Sequence, residues 1–150
     1  MMDRYETFTI LTSKIVRNVR KIKSFEMEEF NLKSPHVSCL YYLFKSENGL
    51  AAKDICDICE EDKAAVSRSL DYLENQGYIV CESKTEKRYN SLITLTEKGR
   101  RVGEIVAEKI DIAVQKASDG ISEEKRAIFY ECLTAISENL QKVVDAKEKK

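Results

Sequence analysis

Between residues 34 and 95 the hydrophobic period changes once, from helical to strand-like, and this limits the fold more than any other feature of the chain. Ser34-Pro35 reads as an N-cap followed by Pro at the first helical position. The helix that follows carries Val37, Leu40, Tyr41, Leu43 and Phe44, and Gly49 marks its end. A short helix fits Ala51 to about Cys59, with Ile55 and Ile58 inward. Asp62 caps a third helix over 62–76, with Val66, Leu70 and Leu73 at i, i+4 and i+7 and Gly77 closing it. Tyr78-Ile79-Val80-Cys81 and Leu92-Ile93-Thr94-Leu95 then predict two antiparallel strands. No Asn-Gly or Asp-Gly lies between them, so the polar stretch 82–91 is expected to be a long, mobile loop.

Helices flank this block. Phe8, Leu11, Ile15, Val19 and Ile22 form one amphipathic stripe within 5–25. Thr96 caps a helix carrying Val102, Ile105, Val106, Ala113, Val114 and Ala117, which Gly120 interrupts. Ser122 caps the last helix, with Glu123 and Glu124 favourably placed in its first turn. Its stripe is Ile128 or Phe129, Cys132, Ile136, Leu140 and Val143, and the charged tail from Ala146 is expected to fray. The apolar fraction of 43% suffices for a core, while one Pro and five Gly favour helix over a loop-rich sandwich. The predicted fold class is mainly α with a small β-hairpin.

Two short helices that set a third at a steep angle, followed by a β-hairpin, make a winged helix-turn-helix. The predicted organisation is an N-terminal dimerisation helix and linker (1–33), a winged helix-turn-helix DNA-binding domain (34–95) and C-terminal dimerisation helices (96–150). The third helix presents Lys63, Ala64, Ser67, Arg68 and Asp71 outward near its N-terminus. This mix suits a major groove: Arg can bond guanine O6 and N7 together, Ser a base or a phosphate, and Ala leaves room for a thymine methyl. Lys84, Lys87 and Arg88 suit a wing that reaches phosphates or the minor groove. Ser34 and His36, at the start of their helix, complete the candidate DNA-binding set, His36 as a surface or phosphate-neighbouring residue.

Charge bears on this reading. Lys plus Arg number 25 and Asp plus Glu 26, so a uniformly basic coat is excluded and any nucleic-acid contact must be local. The stretch 82–101 supplies such a patch, with six basic residues against three acidic. A second basic run is Lys14, Arg17, Arg20, Lys21 and Lys23, which also reads as a solvated helix face. Against DNA binding stands Glu60-Glu61-Asp62, three acids at the groove-entering end; Asp62 is accounted for as the cap. No apolar run approaches a membrane span and the N-terminus has no signal-peptide layout, so the expected compartment is the cytoplasm.

The run Asp62-Lys63-Ala64-Ala65-Val66-Ser67-Arg68, with Leu70, Leu73-Glu74 and Gly77-Tyr78-Ile79, resembles the recognition-helix signature of the MarR (multiple antibiotic resistance regulator) family. Leu95-Thr96-Glu97-Lys98-Gly99 resembles that family's Leu-Thr-x-x-Gly after the wing. The wing departs from the pattern. Many members carry Asp-x-Arg with five residues between that Arg and the Leu-Thr, whereas Lys84-Thr85-Glu86-Lys87-Arg88 has no Asp and six residues separate Arg88 from Leu95. The wing position therefore falls to Arg88 or, in an alternate register, Lys87.

The resemblance implies a homodimeric transcriptional regulator, usually a repressor, whose terminal helices intertwine across a two-fold axis. The stripes at 8–22, 102–117 and 128–144 suit this independently, because they exceed what one small winged domain can cover. Two recognition helices would meet successive major grooves of double-stranded DNA, roughly 34–36 Å apart, on a pseudo-palindromic operator. The resemblance also implies a small hydrophobic or phenolic effector between the dimer helices and the winged domain. Phe8, Phe25, Phe30, Tyr41 and Tyr42 are candidate lining residues, and core packing explains them equally well.

Five Cys in a cytoplasmic chain are not expected to form structural disulfides. Cys56-x-x-Cys59 has the spacing of a metal or redox pair, but zinc needs about four ligands and His36 is the lone histidine. Packing beside Ile55 and Ile58 is the simpler reading, and Cys39, Cys81 and Cys132 are expected in the core. Redox-sensing relatives use a cysteine near the start of the first helix, and this chain has none before Cys39. No metal, cofactor or catalytic constellation is expected, and an enzyme is disfavoured. The alternatives to a DNA-binding regulator are a winged-helix module that binds protein, suggested by the acidic triplet and near-neutral total, and a thiol-based redox regulator.

Overall fold

The computed structural model describes residues 3–59, 61–82 and 90–149. It divides into two compact units, Met1–Asp111 and Ile112–Lys150. The first opens with α1 (Arg4–Glu26), a 3-10 turn (Glu28–Phe30) and α2 (Ser34–Lys45). Then come β1 (Leu50–Ala51), α3 (Ala52–Cys59), α4 (Lys63–Asn75), β2 (Ile79–Cys81) and β3 (Leu92–Leu95). Helix α5 (Glu97–Ala117) follows, and α6 (Glu123–Glu148) lies in the second unit.

The core of the first unit is drawn from each short element. Val37, Leu40 and Leu43 come from α2, Ile55 from α3, Val66, Leu70 and Leu73 from α4, Ile79 and Ile93 from the sheet, and Val102 and Val106 from α5. Met27 and Leu32 close it from the segment between α1 and α2. Each such side chain contributes about 1.5–3 kcal/mol when fully buried, so apolar burial is what holds α2 against α4.

Three boundaries differ from the sequence expectation. The sheet has three antiparallel strands, not two, in the order β1-β3-β2. β1 is two residues long, and its register, Leu50↔Ile93 and Ala51↔Leu92, is set by a partner some forty residues away. α2 starts one residue early: Lys33 holds the cap position, and Ser34 is buried with its backbone N–H donated to Ser24 Oγ at 3.1 Å. α2 also ends at Lys45, and Gly49 (φ +82°) belongs to the turn into β1, where a Cβ would lie 2.5 Å from the Ile93 carbonyl oxygen.

Two side chains are placed differently as well. Ile58 is exposed, because α3 packs through Ala52, Ile55, Cys56 and Cys59, an i, i+3, i+4, i+7 set that leaves Ile58 to one side. Cys132 is exposed on α6, whereas Cys39 is buried and Cys81 packs against the core.

In the second unit Gly120 adopts φ +76°, and Ser122 Oγ then accepts the Lys125 N–H at 3.2 Å. α6 runs to Glu148, and the Lys149 N–H reaches the Asp145 carbonyl at 3.2 Å. Neither α1 nor α6 buries a residue within the single chain. Among the described residues no helix is long and apolar enough to cross a membrane.

Candidate nucleic-acid interface

Helix α4 begins where Asp62 Oδ1 accepts the Ala65 N–H at 2.7 Å. The cap satisfies one orphan donor and leaves the positive end of the helix dipole at the surface. Val66, Ser69, Leu70 and Leu73 face the core. Lys63, Ala64, Ser67, Arg68 and Asp71 are all exposed, so the expected reading face is brought together over the first turns. A guanidinium, an ammonium and a hydroxyl on one exposed face beside a helix N-terminus can bond base edges and phosphate oxygens.

The acidic triplet is partly resolved. Asp62 is occupied as the cap. Glu61 Oε1 lies 3.7 Å from Arg20 Nη2 on α1, and its side chain is only 24% exposed. Its charge is thereby set beside a cation of α1. Glu60 lies outside the described residues, as do Lys84, Lys87 and Arg88 of the wing.

Two side chains tie α4 to the start of α2. The His36 and Tyr72 rings stack with centroids 4.3 Å apart and planes 15° from parallel. The Tyr72 hydroxyl donates to the Asn31 carbonyl at 2.8 Å, and Asn31 sits in the left-handed region at φ 56°. His36 Nδ1 accepts the Lys33 backbone N–H at 3.0 Å. Burial, and then the neighbouring Lys33 charge, hold the imidazole below its ordinary range.

The other end of α4 is held by the Leu95–Gly99 segment. Lys98 Nζ donates to the Gln76 carbonyl and Thr96 Oγ1 to the Gly77 carbonyl, each at 2.6 Å. The same Thr96 oxygen accepts the Gly99 N–H at 3.0 Å, and Lys98 Nζ lies 4.4 Å from the centroid of the Tyr78 ring. A Cβ at Gly99 would fall 1.9 Å from the Tyr78 carbonyl oxygen. The Thr-x-x-Gly motif thus closes the last turn of α4: the hydroxyl and the missing side chain are both required by contact with residues 76–78. Tyr72 and Asn31 escaped sequence reasoning, since they lie 41 positions apart, and Lys98, read as part of the 82–101 basic patch, donates to a carbonyl 22 positions earlier.

The N-terminal basic run splits in two. Lys14, Arg17 and Lys21 are exposed. Lys23 turns inward, donating from Nζ to the buried Ser38 Oγ at 3.0 Å, and burial lowers its pKa despite the opposing influence of Cys59 and Glu61.

Burial, the first cause in each case, raises the three thiols nearby: Cys39 to about 12, Cys59 to about 11, and Cys56 in the same direction. They are therefore protonated thiols near neutral pH, not reactive thiolates. Among the described residues no group of three or more His, Cys, Asp or Glu is arranged to hold a metal ion.

The aromatic candidates scatter. Phe8 and Phe25 are both exposed on α1, and 17 positions of helix separate them by about 25 Å. Phe30 and Tyr41 pack against the core, and Tyr41 meets Tyr42 edge-on at 5.2 Å.

Residues 36–110 match the family model described as a winged helix DNA-binding domain. No curated protein matches the sequence significantly. Solved structures are similar over nearly the whole chain. A MarR transcriptional regulator from Methanosarcina mazei Go1 is 19% identical, with 95% of this chain and 94% of that one covered and a TM-score of 0.81. A putative MarR family transcriptional regulator from Listeria monocytogenes, complexed with 26mer DNA, is 23% identical, with coverage of 93% and 90% and a TM-score of 0.78. Staphylococcus aureus MarR in complex with salicylate and kanamycin is 22% identical, with coverage of 92% and 93% and a TM-score of 0.77. At these identities the likeness establishes a shared fold.

Proposed function

The chain belongs to the winged helix DNA-binding domain family, and on that premise we propose that it is a dimeric, sequence-specific transcriptional regulator of the MarR type, a repressor released by a small hydrophobic or phenolic effector. The observation that carries this reading is the exposed face of α4, where Lys63, Ala64, Ser67 and Arg68 stand together on a helix whose other face is locked into the core. In this reading α4 enters the major groove, Arg68 reads a base edge, and Lys63 and Ser67 contact phosphate or base. Lys84, Lys87 and Arg88 carry the wing contact to the minor groove or backbone.

Dimerisation is supported by two apolar faces left open in the single chain. Phe8, Leu11, Ile15, Val19 and Ile22 are exposed on α1, and Ile128, Phe129, Ile136, Leu140 and Val143 on α6. Apolar faces of this extent are covered by a partner in a stable soluble protein. The similar Listeria structure holds DNA and the similar staphylococcal one salicylate, a phenolic anion, which supports both operator and effector in this chain. A regulator of this kind works in the cytoplasm, where its DNA is.

The test is selection from random duplexes, followed by salt titration of the enriched site. A pseudo-palindrome should emerge, and Arg68→Ala should weaken binding by about 1–3 kcal/mol with relaxed choice at one base pair. Salicylate added to the complex should release the DNA. Failure of a folded dimer to enrich any sequence would refute the regulator reading and favour a protein-binding module.

A further inference from the structure

Helix α2 starts with an unusual residue in a familiar role. With Lys33 at the cap, His36 is the third helical residue, the position from which Glu or Gln commonly accepts the cap residue's backbone N–H. Here imidazole Nδ1 is the acceptor, at 3.0 Å from the Lys33 nitrogen. The same ring stacks on Tyr72 in the last turn of α4, and the Tyr72 hydroxyl returns to the Asn31 carbonyl just before α2. The lead-in to α2, the imidazole and the recognition helix are thereby joined in one closed set of contacts.

We propose that His36 is a positioning residue which, through Nδ1 as acceptor and its stack on Tyr72, seats α4 for DNA, so that acidification loosens DNA binding through this residue. The proposal rests on the DNA-binding reading above. It reverses the expectation that His36 neighbours a phosphate, for which protonation would add a favourable charge and tighten binding.

The chemistry of the imidazole sets the direction. The neutral ring with hydrogen on Nε2 offers a lone pair at Nδ1; the protonated ring has donors at both nitrogens. Protonation therefore sets an N–H against the Lys33 N–H and breaks the bond that fixes the ring in place against Tyr72. Among the described residues, the titratable groups facing the ring are Lys33, from the segment before α2, and Tyr72, from α4. Lys33 opposes a second positive charge, and half-burial does the same. Because the neutral form is the one favoured by the fold, affinity is full above the ordinary imidazole range of about 6.5 and falls as the pH drops below it.

His36 is the only histidine in the chain, which makes the test clean. The full-length protein labelled with ¹⁵N should show a single imidazole with unprotonated Nδ1 and a titration below the ordinary range. This measurement does not depend on DNA. Affinity for the selected duplex is then followed from about pH 7.5 to about pH 5.5, spanning the imidazole range, for the native protein and for His36→Gln. Gln keeps an acceptor at this position but does not titrate. The two should bind alike at the upper pH, and the native protein should lose about threefold to tenfold relative to the variant at the lower, the range set by one hydrogen bond. Tyr72→Phe, which keeps the stack and loses the Asn31 bond, should weaken binding at every pH without flattening the profile.

A native protein that gains affinity over His36→Gln on acidification, or a ratio that stays constant, overturns the proposal. So does a proton on Nδ1. If His36→Gln fails to fold, a native His36 titrating at or above the ordinary range is by itself sufficient to overturn it, and Tyr72→Phe decides the α4 arm. If the folded native protein binds no duplex at the upper pH, the DNA-binding reading fails, and the Nδ1 state alone decides whether the brace exists.

Discussion

Thr96 is the sharpest place to test how α4 is held. Its hydroxyl makes two bonds at once: it accepts the Gly99 N–H, capping α5, and donates to the Gly77 carbonyl just past α4. Thr96→Val preserves shape and removes both. A lost N-cap costs about 1 kcal/mol, and a lost hydrogen bond about 0.5–1.5 kcal/mol. Thr96 is partly exposed, so water can satisfy some of what is abandoned, and the expected loss is about 1–2 kcal/mol. Thr96→Ser keeps the oxygen and should lose far less. The assay is urea unfolding by circular dichroism at one fixed protomer concentration, because a dimer's stability depends on concentration. The midpoint should fall with an unchanged slope, and thermal unfolding should drop by about 2–4 °C per kcal/mol. The reasoning is refuted if Thr96→Val stays within about 0.3 kcal/mol of the native protein, well inside one hydrogen bond, or if Ser is as damaging as Val.

Two glycines offer a contrast. Gly77 (φ +79°) has open space around it, so Gly77→Ala should cost only the backbone strain of about 1 kcal/mol, whereas Gly99→Ala drives a Cβ onto the Tyr78 carbonyl. The second variant should be the less stable in thermal unfolding, by an overpacking cost of about 1–3 kcal/mol; equal stability would disprove the close approach. For the thiols, Cys39 is 2% exposed and its pKa is pushed up to about 12. Alkylation followed by peptide mass mapping should therefore find it the last cysteine modified at neutral pH, with release only in denaturant. Early labelling of Cys39 in the native protein would contradict the packing.

The helices and their starts, α2's apart, were legible in the sequence because they are decided within a turn or two. The 66/70/73 spacing, the Asp62, Thr96 and Ser122 caps and the Gly77 and Gly120 stops are short-range features, and each forms as read, whereas Gly49 serves the turn into β1 instead of ending α2. The outward set Lys63, Ala64, Ser67 and Arg68 followed from the same periodicity, since burying one face of a helix exposes the other. The fold class followed from the order of these local elements. What tertiary structure alone decided lies across larger separations. β1 exists only because β3 pairs with it. Ile58 is outward because the packed side of α3 is set by its neighbours, and Glu61 is drawn to Arg20 by a helix forty positions earlier. His36 was read as a residue for DNA, and its bond to Lys33 is local, yet its stack on Tyr72 depends on α4 folding back across α2. Periodicity and capping are short-range properties of the backbone, so sequence carries them openly; the partner of a polar side chain is chosen by which distant surface the core brings against it.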